Sequence, residues 1–200
     1  MRPPMLILAS ASPRRRQLLQ MLGLEFETRP QPCQEQSQSR DPADYVTDIA
    51  LQKARSARAQ AGPEDWILAA DTAVCLDGQI LGKPADQEDA RRTLTLLSGK
   101  THQVRTGLCL IHGQKIRSWQ ERADVTFYPL SPQTVEWYLS TGEPMDKAGA
   151  YGIQGLGALL VRGIEGDFYN VMGLPLASLA RVLRQEGFAA GQIGQIEVSP

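Results

Sequence analysis

Two hundred residues with 42% apolar side chains supply enough material for a sizeable buried core. Twenty-one basic residues stand against twenty-two acidic ones, and this near-neutral balance excludes a generally basic coat for nonspecific nucleic-acid binding. No apolar run approaches the ~20 residues of a membrane span. The apolar stretch after Arg2 is too short for a signal peptide. Cys33, Cys75 and Cys109 are far apart and odd in number, with no CxxC spacing, as expected of reduced thiols in a soluble, cytoplasmic protein. Cys75 and Cys109 read as small core residues.

In chain order, residues 5–9 read as a strand that runs into a serine-rich turn. Ser12 and Pro13 form an N-cap and a first helical position for a leucine-rich helix over 13–22. A strand over 24–28 leads into a glutamine-rich loop punctuated by Pro30 and Pro32. Asp41-Pro42 then starts a second helix that ends near Gly62-Pro63. "WILAADTAVCL", 66–76, is too apolar for a half-exposed strand and reads as a buried one. Asp77-Gly78 signals a hairpin into 79–81. A third helix over 86–97 stops at Ser98-Gly99, and strands over 101–111 and 115–128 are joined by His112-Gly113-Gln114. A helix over 132–140, a glycine-rich stretch over 142–157, a strand over 158–164 and a helix over 175–186 complete the pattern. Residues 188–200 are expected to be a loosely ordered tail. Helices alternate with strands, but the hairpins make the sheet mixed. The expectation is one α/β domain over 1–187, with two lobes around a cleft where loops meet.

Several charges sit where physics does not favour them. Arg14, Arg15 and Arg16 occupy the first turn of the first helix, where the macrodipole already places roughly +0.5 of a charge. On a helical wheel Arg14 and Arg15 flank the buried leucine side, whereas Arg16 faces solvent. Either internal acids pair with them, or an anion sits on the helix N-terminus, helped by the Ser10 and Ser12 hydroxyls; the anion is the favoured reading. In the second helix Val46, Ile49, Ala50, Ala54 and Ala57 trace an apolar stripe that Lys53 interrupts. Taken alone, Lys53 reads as a stem snorkelling with its ammonium in water. Arg55 and Arg58 lie off the stripe and read as solvated charges. Asp71 breaks the most apolar strand, and a lone ionised carboxylate is too costly there. It must be paired, bound to metal, or open to a cleft. A catalytic or metal-binding carboxylate is favoured, because so many cations lack an evident mate.

Lys83 lies in a turn stiffened by Pro84, and "DKAGAYGIQG" combines Asp146, Lys147 and several glycines with Gln154, whose amide can read a base edge. This loop matches neither the P-loop nor the dinucleotide fingerprint. His102 and His112 have no zinc spacing with the cysteines, and His102 reads as a packing or hydrogen-bonding residue. Inward cations (Arg14, Arg15, Lys53 and Lys83, with Lys147 a further candidate) set against Asp71, Glu35 and Asp146 suit a polyphosphate, with carboxylates free to hold Mg²⁺ or Mn²⁺ and to orient a water.

"LASASPRRRQLL", "LQKA", "AADT", "LGKP", "LSGKTHQV", "EPMDKAGAYGIQGLGA" and "GDFYNVMGLPL" resemble, in this order, the motifs of the Maf family of nucleotide pyrophosphatases. The likeness runs from about residue 5 to 185. "DKAGAYGIQG" is similar to the branch that hydrolyses dTTP and UTP, rather than the branch acting on 7-methyl-GTP. The resemblance implies a curved, elongated mixed sheet flanked by helices, shared with inosine-triphosphate pyrophosphatases. It implies cleavage between the α and β phosphorus atoms, a divalent cation, a homodimer, and no nucleic-acid or membrane partner. By the same resemblance Asp71 is the catalytic acidic residue, the proton acceptor for water. Arg14, Thr72 and Gln154 choose the pyrimidine. Ser10, Arg14, Arg15, Lys53 and Lys83 surround phosphates, and Glu35 joins Asp71 at the metal. Where many relatives carry an acidic pair before the second helix, this chain reads Gln34-Glu35. Two alternatives stay open: a nucleotide-binding regulator of septum formation without essential catalysis, and the same reaction on 7-methyl-GTP.

Overall fold

The most apolar segment of the chain forms the strand around which the sheet is assembled, in a computed structural model that describes residues 4–188. This strand is β3 (Trp66–Leu76). Alongside it lie β1 (Leu6–Leu8) and β2 (Phe26–Thr28), and on its other side β5 (Thr101–His112), β6 (Lys115–Phe127) and β7 (Val161–Gly166). The order is β2-β1-β3-β5-β6-β7, with β4 (Gln79–Leu81) paired to β3. β1 runs parallel to both β2 and β3, and the remaining pairings are antiparallel. Asp77 and Gly78 both take left-handed backbone angles (φ 50° and 80°), as a two-residue hairpin requires.

Among the described residues six helices flank this sheet: α1 (Pro13–Met21), α2 (Pro42–Arg58), α3 (Gln87–Leu97), α4 (Pro132–Ser140), α5 (Phe168–Met172) and α6 (Leu176–Gln185). Alternation along the strands sorts them onto two faces. Leu6 and Leu8 pack with Leu18 and Leu19 of α1 and Leu179 and Leu183 of α6. Ile7 points the other way, towards Ala50 and Ala54 of α2, as do Ile67, Ala69 and Cys109. A further cluster joins α3 and α4 to the far end of the sheet through Leu94, Leu97, Val104, Phe127 and Tyr138. Cys75 and Cys109 are buried free thiols, as their sequence context implies. Among the described residues no helix is long and apolar enough to cross a membrane.

Four local expectations change. The strand expected over 158–164 begins at Val161, because Leu156–Leu160 turns through a 3-10 segment first. The short helix α5 was not foreseen. α2 ends at Arg58, which is no free surface charge: its guanidinium donates to the Gly62 and Pro63 carbonyl oxygens at 2.6 and 3.1 Å. Phe188, the first residue of the expected tail, is buried and meets Trp66 edge-on. Residues 189–200 of that tail lie outside the described residues.

His102 is the packing residue its sequence context implies. It is buried, lies edge-on to Phe127, and its Nε2 is 2.8 Å from the Tyr151 hydroxyl. Burial pushes its pKa from 6.5 down to about 4. The unfolded chain therefore binds a proton that the native fold refuses between those values, so stability falls as pH drops through that window and levels off below it. Urea midpoints measured across the window are expected to decline with acidification, and His102→Gln should remove that part of the slope.

Candidate active site

The site occupies a gap in the ladder of β3. On one side of β3, β1 pairs with Trp66, Ile67 and Leu68, whereas β4 pairs with Val74, Cys75 and Leu76. Asp71 and Thr72 fall between, in the middle of β3 and just beyond the carboxyl end of its parallel neighbour β1, the customary side for a ligand in such sheets. The chain leaves β1 there and enters α1. Ser12 caps that helix by accepting from Arg15 N, Pro13 occupies its first turn, and no acid balances the three arginines. Adjacent strand residues face opposite ways, so Asp71 looks towards α2 and Thr72 towards α1 and α5.

On the first of these faces, Lys53 reaches across from α2. Its ammonium lies 2.8 Å from Asp71 Oδ1 and 3.1 Å from Glu35 Oε2. The Lys53 and Asp71 side chains are only 14% and 16% exposed, so the ammonium is a bridge between carboxylates and not a snorkelling head in water. The approach of α2 depends on Gly107, which pairs with Asp71 across the sheet. A Cβ at Gly107 would lie 2.4 Å from the Val46 carbonyl carbon and oxygen, so α2 rests directly on the β5 backbone. Glu35 holds a left-handed backbone (φ 47°), a strain of about 1–2 kcal/mol for a residue with a Cβ. Tyr45, on the first turns of α2, shares an open cavity of about 830 Å³ with Gln34, Glu35 and Gln52. Desolvation, together with the charges of Asp71 and Glu35, raises its hydroxyl pKa.

On the second face Arg15 is half-buried, and its guanidinium meets neutral acceptors. Its Nε donates to the Gly173 carbonyl at 2.8 Å, Nη2 to Thr72 Oγ1 at 2.9 Å and Nη1 to Ser10 Oγ at 3.4 Å. No carboxylate touches it among the described residues. Desolvation therefore lowers its pKa, partly offset by the fields of Asp71 and Glu35 and reinforced by Arg14. Internal acids do not take the charge, which was one of the two readings of the arginine cluster.

Six of the sequence-derived site residues thus form two connected groups: Ser10, Arg15 and Thr72 on one side of β3, and Glu35, Lys53 and Asp71 on the other. Arg14 is half-buried and close enough to Asp146 to lower that carboxyl's pKa, although Lys147 does more. Among the described residues, Arg14, Lys83 and Gln154 make no hydrogen bond or ion pair through their side chains. Lys83 is exposed beside Gly82, whose carbonyl accepts from Gly149 N at 3.1 Å and so ties that turn to the glycine-rich loop. Gln154 is exposed, next to Ile153, which packs on the core cluster beneath α1. Lys147 is committed within its own loop, to Asp146 Oδ1 at 2.6 Å and the Glu143 carbonyl at 2.8 Å. Sequence reasoning missed Tyr45, Thr106, Gly107, Asn170 and Gly173. For the last two a signal existed: "DFYNVMG" has a capping Asp before, and a C-terminal Gly after, a one-turn helix.

Asp71 and Glu35 are held side by side by the Lys53 ammonium. Two carboxylates suit a hard divalent ion that takes its other ligands from phosphate and water. No cluster of three or more potential protein ligands exists among the described residues, so a cage built from protein alone is not the fit.

The fold and site together define an α/β protein with an arginine that no acid contacts on one face of its central strand and a lysine-bridged carboxylate pair on the other. The chain belongs to the Maf family, whose profile, described as Maf-like protein, matches residues 5–186. It is 48% identical over 90% of its length, and 94% of the relative's, to a "dTTP/UTP pyrophosphatase" of Bacillus cytotoxicus. It is 47% identical over 92% of its length, and 97% of the relative's, to a protein of the same name from Halalkalibacterium halodurans. The fold is shared with a HAM1 protein from Coxiella burnetii, at 14% identity and a TM-score of 0.52, covering 92% of this chain and 100% of that one.

Gly107→Ala is expected to cost about 1–3 kcal/mol, since the added methyl group must displace the α2 backbone. Urea denaturation checks it, and an unchanged midpoint would mean that α2 does not rest on β5 at this position.

Proposed function

We propose that this protein hydrolyses dTTP and UTP to the nucleoside monophosphate and pyrophosphate. The observation that carries the reading is the desolvated Arg15 guanidinium. It meets only neutral acceptors on one side of β3, while Asp71 sits one residue from its Thr72 partner on the other. The names of relatives with nearly half their residues identical support the same reaction.

The residues divide the work by charge. Arg15 meets phosphate oxygens with a positive charge that no internal acid has cancelled, at a helix N-terminus whose dipole adds to it. Asp71 keeps Oδ1 on Lys53, which leaves Oδ2 for the proton of an attacking water. Lys53 and the exposed Lys83 face the charge that grows on the departing pyrophosphate, and stabilise the transition state more than the ground state. A divalent cation, Mg²⁺ or Mn²⁺, held by Asp71 and Glu35, would neutralise the triphosphate and polarise its oxygens. Arg14, Thr72 and Gln154 face the base, with the Gln154 amide on a loop free to follow it. The partner is a small-molecule nucleoside triphosphate, and the working unit is a homodimer.

Incubation of the purified protein with UTP and Mg²⁺ is expected to yield UMP and pyrophosphate on anion-exchange chromatography. UDP with orthophosphate, or no product, would sink the reading. Asp71→Asn, which keeps size and hydrogen bonding, should fold normally and lose about 10²–10⁴-fold in kcat, the usual worth of a general base.

A further inference from the structure

Thr106 lies outside every motif that carries the family likeness, yet it is fully buried beside Thr72. Its hydroxyl donates to the Asn170 carbonyl oxygen at 2.9 Å and lies 3.0 Å from Thr72 Oγ1. Asn170 is itself buried and fixed, its side-chain amide donating to the Val104 carbonyl at 2.9 Å. A carbonyl oxygen can only accept, and a hydroxyl has a single proton. Thr106 commits its proton to Asn170, so the proton between the two hydroxyls comes from Thr72. Thr72 Oγ1 also accepts from Arg15 Nη2 at 2.9 Å. Half-exposed in the gap of β3, Thr72 can therefore offer an incoming ligand a lone pair but no proton.

We propose that Thr106 is a positioning residue that fixes Thr72 as a hydrogen-bond acceptor towards the base. The site then selects a ring edge that presents N–H, the N3 imide of uracil and thymine, over the bare N3 of cytosine. This rests on the reading above in which Thr72 faces the base. Cytosine would set one acceptor against another and leave both without a partner, which is where hydrogen-bond selectivity is largest.

The test compares kcat/KM for UTP and CTP in the wild type, Thr106→Val and Thr106→Ser. The wild type is expected to prefer UTP. Thr106→Val frees the Thr72 proton to rotate towards a ligand, and the preference should shrink about tenfold, mainly through better use of CTP. Thr106→Ser keeps the hydroxyl and should keep the wild-type ratio. Equal losses on both nucleotides in Thr106→Val, or a Thr106→Ser protein that loses the preference as well, would overturn the role. A second arm needs no variant: calorimetry of UMP, 4-thio-UMP and CMP on the wild type. The two bases bearing N3–H should bind alike and CMP about tenfold more weakly; CMP binding as well as UMP overturns the proposal even if Thr106→Val fails to fold. Failure to release pyrophosphate from UTP counts against the enzymatic reading itself, and the base-facing role falls with it. Cleavage of UTP and CTP with equal efficiency leaves the enzyme standing and removes only the role of Thr106.

Discussion

A half-buried, partly desolvated guanidinium without an acid in contact is the constraint on which the rest of this site depends. Arg15 spends its donors on a serine hydroxyl, a threonine hydroxyl and a backbone carbonyl, which orient it but leave its charge in place. Those acceptors come from the loop after β1, from β3 and from the end of α5, so one side chain ties these three segments together. The helix N-terminus it springs from adds positive potential. A fold keeps such an arrangement when the missing charge arrives with a ligand, and a nucleoside triphosphate brings several.

β3 then divides two tasks between consecutive residues. Alternation turns the acid of Asp71 to the α2 face and the hydroxyl of Thr72 to the α1 and α5 face, within a stretch that neither β1 nor β4 pairs. The cation on the acid side is internal: Lys53 holds Asp71 and Glu35 together, at the cost of a left-handed backbone at Glu35. Charge balance therefore differs across the strand. One face carries a lysine-bridged carboxylate pair, and the other a guanidinium that no acid contacts.

Much of this was legible as departures from local rules. Arginines at the wrong end of a helix, a lysine in an apolar stripe and an acid in an oily strand can be recognised without coordinates, because each violates a short-range preference. The partners that resolve them cannot. Lys53 finds Glu35 from a glutamine-rich loop with no periodic signal, and Arg58 turns back on the carbonyls that follow its own helix. Gly107 looks like any small residue in a strand until the α2 backbone lies against it. Thr106 carries no motif, and its part in the network depends on a hydroxyl and a carbonyl brought together across 64 residues.

The sequence by itself determined the order of helices and strands apart from α5, the mixed character of the sheet, the buried identity of β3 and the unusual charges, since periodicity, caps and turn residues act within a few positions of one another. Only the tertiary structure decided which cation meets which acid, which face of β3 each residue serves, and where hydroxyl protons point. Those outcomes depend on contacts between segments far apart in the chain, where desolvation and the count of donors and acceptors choose among pairings that local sequence leaves equal.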